Sequence, residues 1–124
     1  MIKERIYQPT AGELNIWLEN NFSLFGISDP SKQEVVKMKY RSESNNIWTI
    51  ELYDNLHKIG HASLIKQKMY LNNSLILIGF MTNVYVYPEY RGQKMLIHLI
   101  SAVEKTSQNL QLAGIIVIAR RQVK

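Results

Sequence analysis

The chain has no cysteine among its 124 residues. That excludes disulfides, thiolate metal sites and a cysteine nucleophile. Only three histidines are present, and without a Cys/His ligand cluster a structural zinc is not expected. Long apolar runs are missing as well. The longest, Leu75 to Met81, falls far short of the ~20 residues that span a bilayer. The first ten residues, MIKERIYQPT, offer no apolar signal core. A cytoplasmic location with no membrane association is therefore the expectation. Acidic residues are fewer than basic ones, 10 against 15, which leaves a net charge of +5. Internal repeats and low-complexity segments are absent.

What is present suits one compact domain spanning residues 1–124. Hydrophobic residues make up 46%, enough for a core and too many for disorder. The positive charge is scattered. Lys37, Lys39 and Arg41 alternate, and Arg120, Arg121 and Lys124 close the sequence. Solvated faces account for this pattern. A nucleic-acid surface is the sharper reading, and no recognised module signature accompanies it.

The elements follow from periodicity and punctuation. Ile2, Ile6 and Tyr7 fit a short first strand within Met1 to Gln8. Thr10 and Glu13 have capping-box spacing. Leu14, Trp17, Leu18 and Phe22 follow at helical intervals, predicting a helix over Ala11 to Asn21. Leu24 to Lys32 reads as a bend. Val36, Met38 and Tyr40 alternate with basic residues, as in a strand. Asp29-Pro30 also suits a helix start, so this segment is expected to begin helical and turn into a strand. A polar turn at Ser42 to Asn46 leads to strands over Ile47 to Tyr53 and Lys58 to Lys68. Asn72-Asn73 marks a hairpin into an apolar strand over Leu75 to Tyr87. That strand is apolar on both faces, so it should lie centrally. Gly79 within it marks a bulge or a close approach. A helix over Gly92 to Asn109 is expected to bury Met95, Leu96, Leu99, Ile100 and Val103. A last strand, Ile115 to Ala119, completes a parallel crossover. The fold class is therefore α/β (α+β): a mixed sheet flanked by helices, an antiparallel meander followed by one βαβ unit.

The stretch Asn83 to Leu96, NVYVYPEYRGQKML, is the most informative. It is a strand, a proline turn and a helix start. The first N–H groups of a helix have no partner inside it, and with the helix dipole they form a ready anion site. The stretch resembles the acetyl-CoA-binding motif of GNAT-type N-acetyltransferases, in which a strand ending L-x-V-x-P-x-x-R-G leads into Q/R-x-x-G-x-G/A. Val84 and Val86 occupy the L-x-V positions, and Pro88, Arg91 and Gly92 match. Lys94 and Leu96 stand where the family has small residues. The resemblance covers about residues 46 to 120.

What it implies is acetyl transfer from acetyl-CoA, as co-substrate, to a primary amine on a small molecule or protein. The amides of Val84 and Val86 would pair with the pantetheine arm. Arg91, Gly92, Gln93, Lys94, Met95 and Leu96 would hold the pyrophosphate. Tyr85, between the two valines, would line the same strand. In the family a wedge opens between the motif strand and the next parallel strand, and a further helix and two strands commonly follow. This sequence ends at Lys124, so the fold would be truncated there and the edge of Ile115 to Ala119 bare. That argues for a homodimer.

No carboxylate lies between Leu75 and Tyr87, so the general base must come from elsewhere. Glu51 is a candidate if it faces the cleft; the plainer reading is a solvent-facing strand residue. His61 is another, since imidazole titrates near neutral pH; the plainer reading is a half-buried polar residue. The Tyr85 hydroxyl could touch substrate or release a proton, or the ring could simply pack. His57 falls in a turn and His98 on the outer face of a helix. The alternative to an enzyme is a GNAT-like domain that binds weakly or not at all and serves as an interaction protein. Lys94, Leu96 and the missing carboxylate support it.

Overall fold

Thr10 opens the first helix, as its spacing to Glu13 predicts. The Thr10 hydroxyl accepts from the Glu13 N–H at 3.1 Å, and the Glu13 carboxylate accepts from the Thr10 N–H at 3.0 Å. Helix α1 (Ala11–Asn21) buries Leu14 and Leu18. In this computed structural model the described residues are 1–23, 26–42, 44–92 and 94–117, with only the backbone of Ser44.

The second helix departs from expectation. Helix α2 (Pro30–Ser42) is helical throughout, with no strand at Val36 to Arg41. The Asp29 side chain accepts from the Ser31 N–H at 2.9 Å, and its carbonyl from the Gln33 N–H at 3.0 Å. The start is thus capped, and Pro30 sits where its missing N–H costs nothing. The partly buried positions are Gln33, Val36, Lys37 and Tyr40, which share one helical face. Lys37 Nζ reaches Glu19 Oε1 at 2.7 Å, tying α2 to α1. A short 3₁₀ turn, Ser44–Asn46, follows.

These helices belong to one of two compact units, Gln8–Ile47. The other joins Met1–Tyr7 to the chain from Trp48 onward. It carries a five-stranded sheet in the order β1-β2-β3-β4-β5. The strands are β1 (Ile2–Tyr7), β2 (Ile47–Asp54), β3 (His57–Leu71), β4 (Ser74–Val86) and β5 (Ile115–Val117). β1 pairs antiparallel with β2 and β3 with β4, while β4 and β5 are parallel. This is the mixed sheet expected, but the middle strand is β3; β4 lies one place from the edge and is paired on its outer side only at Gly79, Phe80 and Met81. Asn72 and Asn73 adopt φ of 50° and 66°, the left-handed pair that a two-residue hairpin demands. Ile118 and Ala119 of the expected last strand lie outside the described residues, as do Arg120, Arg121 and Lys124.

Helix α3 (Met95–Asn109) packs on β3 and β4. It starts at Met95 rather than Gly92, because Lys94 is left-handed, with φ 63°. Its buried face is Leu99, Ala102, Val103, Thr106 and Ser107. Leu96, expected in that stripe, is half exposed; starting the helix three residues later leaves Leu96 in the first turn, away from the core. The core joins Leu99, Ala102 and Val103 to Ile50, Leu52, Ile59, Ala62, Leu64, Met81 and Val86. Gly79 is a close approach. A Cβ there would lie 2.7 Å from Leu64 Cδ1 and 3.0 Å from Leu112 Cδ1.

Candidate active site

Strand β4 changes phase part-way along. Below, the Gly79 N–H donates to Gly114 O at 2.9 Å, on the β5 side. Above, the Tyr87 N–H donates to Ile59 O at 2.9 Å, on the β3 side. Both positions are odd-numbered, and backbone groups alternate sides along a strand, so one residue must be extra between them. The register locates it: His61 pairs with Tyr85 but Ser63 with Thr82. Asn83 and Val84 therefore oppose Ala62 alone, which is a β-bulge. Asn83 takes φ 55°, a conformation asparagine tolerates better than most residues.

The bulge decides which amides are open. Counting back from Tyr87, the N–H groups of Val86 and Val84 turn away from β3. On that side β5 pairs only with Gly79, Phe80 and Met81. Among the described residues no strand lies against Thr82–Val86 there. A ligand with alternating amide groups can pair with this stretch as an added strand does.

The chain then enters a 3₁₀ turn, Pro88–Tyr90. Gly92 has φ 83°, with nothing within 4 Å of the position a Cβ would take. Lys94 follows, also left-handed, and α3 begins. The first backbone bond into the helix is His98 N–H to Lys94 O at 3.1 Å, and among the described residues no side chain caps this end. The amides of Met95, Leu96 and Ile97 precede that bond at the positive end of the helix. Arg91 is engaged within the chain. Its N–H donates to Pro88 O at 3.3 Å, and its Nε donates to Val86 O at 2.9 Å. Its guanidinium carbon lies 5.2 Å from the Tyr85 ring centroid. The residue turns back onto β4 and fastens the loop to the strand end. Gln93 lies outside the described residues.

Three side chains were candidates for proton transfer. His61 and Tyr85 are directly opposed in register, so they share a face of the sheet. Tyr85 is partly buried and stacks edge-on against Tyr87, with ring centroids 5.5 Å apart. His61 is buried rather than half-buried. Its Nδ1 lies 3.1 Å from the Asn83 carbonyl, which can only accept. Nδ1 therefore carries the proton, and Nε2 the lone pair. Burial, reinforced by the charge of Lys58, lowers the His61 pKa to about 4, so the ring is neutral at pH 7. Glu51 is buried rather than solvent-facing. Its Oε2 meets Lys58 Nζ at 2.7 Å; its Oε1 meets Arg5 Nη1 at 3.4 Å and accepts from the Tyr53 hydroxyl at 3.3 Å. Burial, with the charge of Glu51, pushes the Tyr53 phenol up. His57 is exposed at the first position of β3, and His98 is exposed on α3.

A profile described as acetyltransferase (GNAT) domain matches residues 5–117. The chain belongs to the GNAT acetyltransferase family. No curated protein matches it. Among solved structures, a predicted acetyltransferase from Clostridium acetobutylicum, determined with acetyl-CoA, is 15% identical with a TM-score of 0.72. The alignment covers 98% of this chain and 82% of that one. A GCN5-related N-acetyltransferase from Ralstonia eutropha is 12% identical with a TM-score of 0.70, over 96% and 84% of the two chains. An acetyltransferase from Trypanosoma brucei is 19% identical with a TM-score of 0.65, over 98% and 84%. At these identities the likeness is one of fold.

The residues of this GNAT domain fit a CoA-type ligand on two counts. The backbone at Gly92 is open and left-handed, and the helix start beyond it is uncapped. Leu96 occupies a small-residue position of the motif, yet its half-exposed side chain leaves the core without needing it. The sequence reading missed three participants. Asn83 is one, and an asparagine just before the run Val84-Tyr85-Val86 is itself a signal for a left-handed residue. Arg5 and Lys58, which engage Glu51, carry no local pattern; only the register of β1, β2 and β3 brings them there.

Proposed function

We propose that this chain is an acetyl-CoA-dependent N-acetyltransferase acting on a primary amine. The observation that carries this reading is the backbone of β4 beyond Met81, against which no described strand lies on the β5 side, running directly into the Gly92 turn and the start of α3, which no described side chain caps. When bound, acetyl-CoA supplies an activated thioester whose acetyl group passes to the amine, with release of the CoA thiol. The amides of Val84 and Val86 hold the pantetheine arm by strand-like pairing. The Val84 N–H would be the donor to the thioester oxygen, where a fixed donor acts on developing charge. The amides of Met95 and Leu96, the open turn at Gly92 and the charge of Lys94 hold the pyrophosphate. Tyr85, on the face it shares with His61, lines the amine side. Holding the two reactants together supplies a large part of the rate.

The test is thermal melting with and without acetyl-CoA. A ligand at 100 times its Kd adds ~2.7 kcal/mol, so the melting temperature should rise clearly. No rise at millimolar acetyl-CoA overturns the reading.

One observation favours a second reading, a GNAT domain that binds acetyl-CoA without efficient transfer. The Glu51 carboxylate is engaged by Lys58 and Arg5 at once, which suits structure better than proton transfer. Thiol release from acetyl-CoA over a panel of primary amines separates the two. Turnover with any amine selects the enzyme, and stabilisation without turnover selects the binder.

A further inference from the structure

We propose that His61 and Ser63 are positioning residues that clamp the bulge at Asn83 and so keep the Val84 N–H aimed at the open side of β4. This rests on the acetyl-CoA reading above for its functional half, and on the fold alone for the clamp.

The bulge needs holding. Its neighbours Val84, Tyr85 and Val86 are strong strand formers, and a regular ladder would suit them without it. Removing the extra residue would shift the phase of everything beyond, turning the Val84 N–H toward β3. Asn83, left-handed at φ 55°, presents its carbonyl to a donor, as a backbone acceptor inside the fold must. His61 supplies it from β3, with Nδ1 3.1 Å from Asn83 O. Ser63, two residues along on the same face, accepts from Asn83 Nδ2 at 3.5 Å. One residue thus engages the backbone of Asn83 and the other its side chain. Both are almost wholly buried, at 3% and 2% exposure, so packing fixes their positions. They also straddle Ala62, the residue that faces the bulge.

A positioning role and a proton-acceptor role for His61 use different nitrogens. The clamp uses Nδ1–H; a general base would use Nε2. Asparagine at position 61 can place an amide N–H near Nδ1 but offers no basic nitrogen, whereas leucine offers neither.

The first measurement uses the full chain, isotopically labelled and without ligand. The Asn83 backbone carbon shifts report its left-handed state, and Val84 amide exchange reports its exposure. In His61→Leu the shifts should move to extended-strand values and the exchange rate should change at least tenfold. His61→Asn should retain the wild-type pattern. Should His61→Leu fold poorly, Ser63→Ala provides the same readout with a partial shift. Unmoved Asn83 shifts in both His61→Leu and Ser63→Ala overturn the clamp.

The second measurement compares affinity for acetyl-CoA and for CoA by calorimetry. The wild type should prefer acetyl-CoA by about tenfold, the worth of one well-placed hydrogen bond. His61→Leu should lose that preference, and His61→Asn should keep most of it. If Asn lost it as Leu does, the aim of Val84 would not depend on Nδ1 and the positioning role would fall. A wild type whose Asn83 is left-handed but which binds neither ligand would overturn the acetyl-CoA reading and leave the clamp standing.

Discussion

Lys58 Nζ lies 2.7 Å from Glu51 Oε2, and the carboxylate side chain is only 6% exposed. Arg5 reaches the other oxygen at 3.4 Å from a side chain that is 56% exposed. The two partners therefore differ in weight. Removing Glu51 leaves Lys58 largely buried without its counter-charge, and breaking such a pair costs about 3 kcal/mol or more. Removing Arg5 loses a contact made from a solvent-exposed side chain, which contributes far less. Urea unfolding should rank Glu51→Ala well below Arg5→Ala in stability. Equal stabilities would show that the pair contributes nothing net.

His61 makes stability depend on pH. Its folded pKa, about 4, lies below the ordinary value of about 6.5. Between these values the unfolded chain binds more protons than the folded one, so stability rises with pH through that window and falls as the solution is acidified. From pH 7 to pH 5 the loss should be about 2 kcal/mol. The groups acting on the ring include Lys58, Glu51 and the Asn83 carbonyl, and Tyr85 opposes it in register. Denaturant unfolding of wild type and His61→Asn at both pH values measures it. The variant should lose less, and a parallel loss in both would place the effect elsewhere.

Gly79→Ala should destabilise by about 1–3 kcal/mol, the range for overpacking a core. The new methyl meets Leu64 Cδ1 at 2.7 Å, and Leu64 is fully buried. Leu64→Val should recover part of the loss in the double variant. A double-mutant cycle with no coupling would mean that the clash is relieved by backbone movement.

Gly92→Val places a β-branched residue at φ 83°, a genuine strain. Acetyl-CoA affinity should fall at least tenfold. Gly92→Asn should keep most of it, since asparagine accepts the left-handed region. Calorimetry on both variants decides. Normal affinity in Gly92→Val would show that this turn is not where the pyrophosphate sits.

Where the determinants are local, the fold could be read directly. Thr10 and Glu13 announce α1, and Asn72-Asn73 announces the β3–β4 hairpin, because each signal lies within four residues. α2 misled because Val36 and Tyr40 belong to both a period of two and a helical face. Six residues do not separate the two patterns, and the Asp29 cap decided. Leu96 was misassigned because the helix start was set by Gly92, whereas left-handed Lys94 delays it. Of the candidate site, only one strand and its turn were legible: Val84 and Val86 lie on β4 and Gly92 in the left-handed turn after it. The surroundings of Glu51 and the bulge at Asn83 were not legible. Each depends on which residue of one strand faces which residue of another, and hydrophobic periodicity carries no register.

Arg91 has a consequence for how a ligand arrives. With its Nε on the Val86 carbonyl and its guanidinium carbon over the Tyr85 ring, it staples the turn to the strand. On the acetyl-CoA reading proposed above, the loop as far as Arg91 is thus held in advance, and less segmental freedom there has to be frozen at the moment of capture. Association should be a single fast encounter, with no slow closing phase.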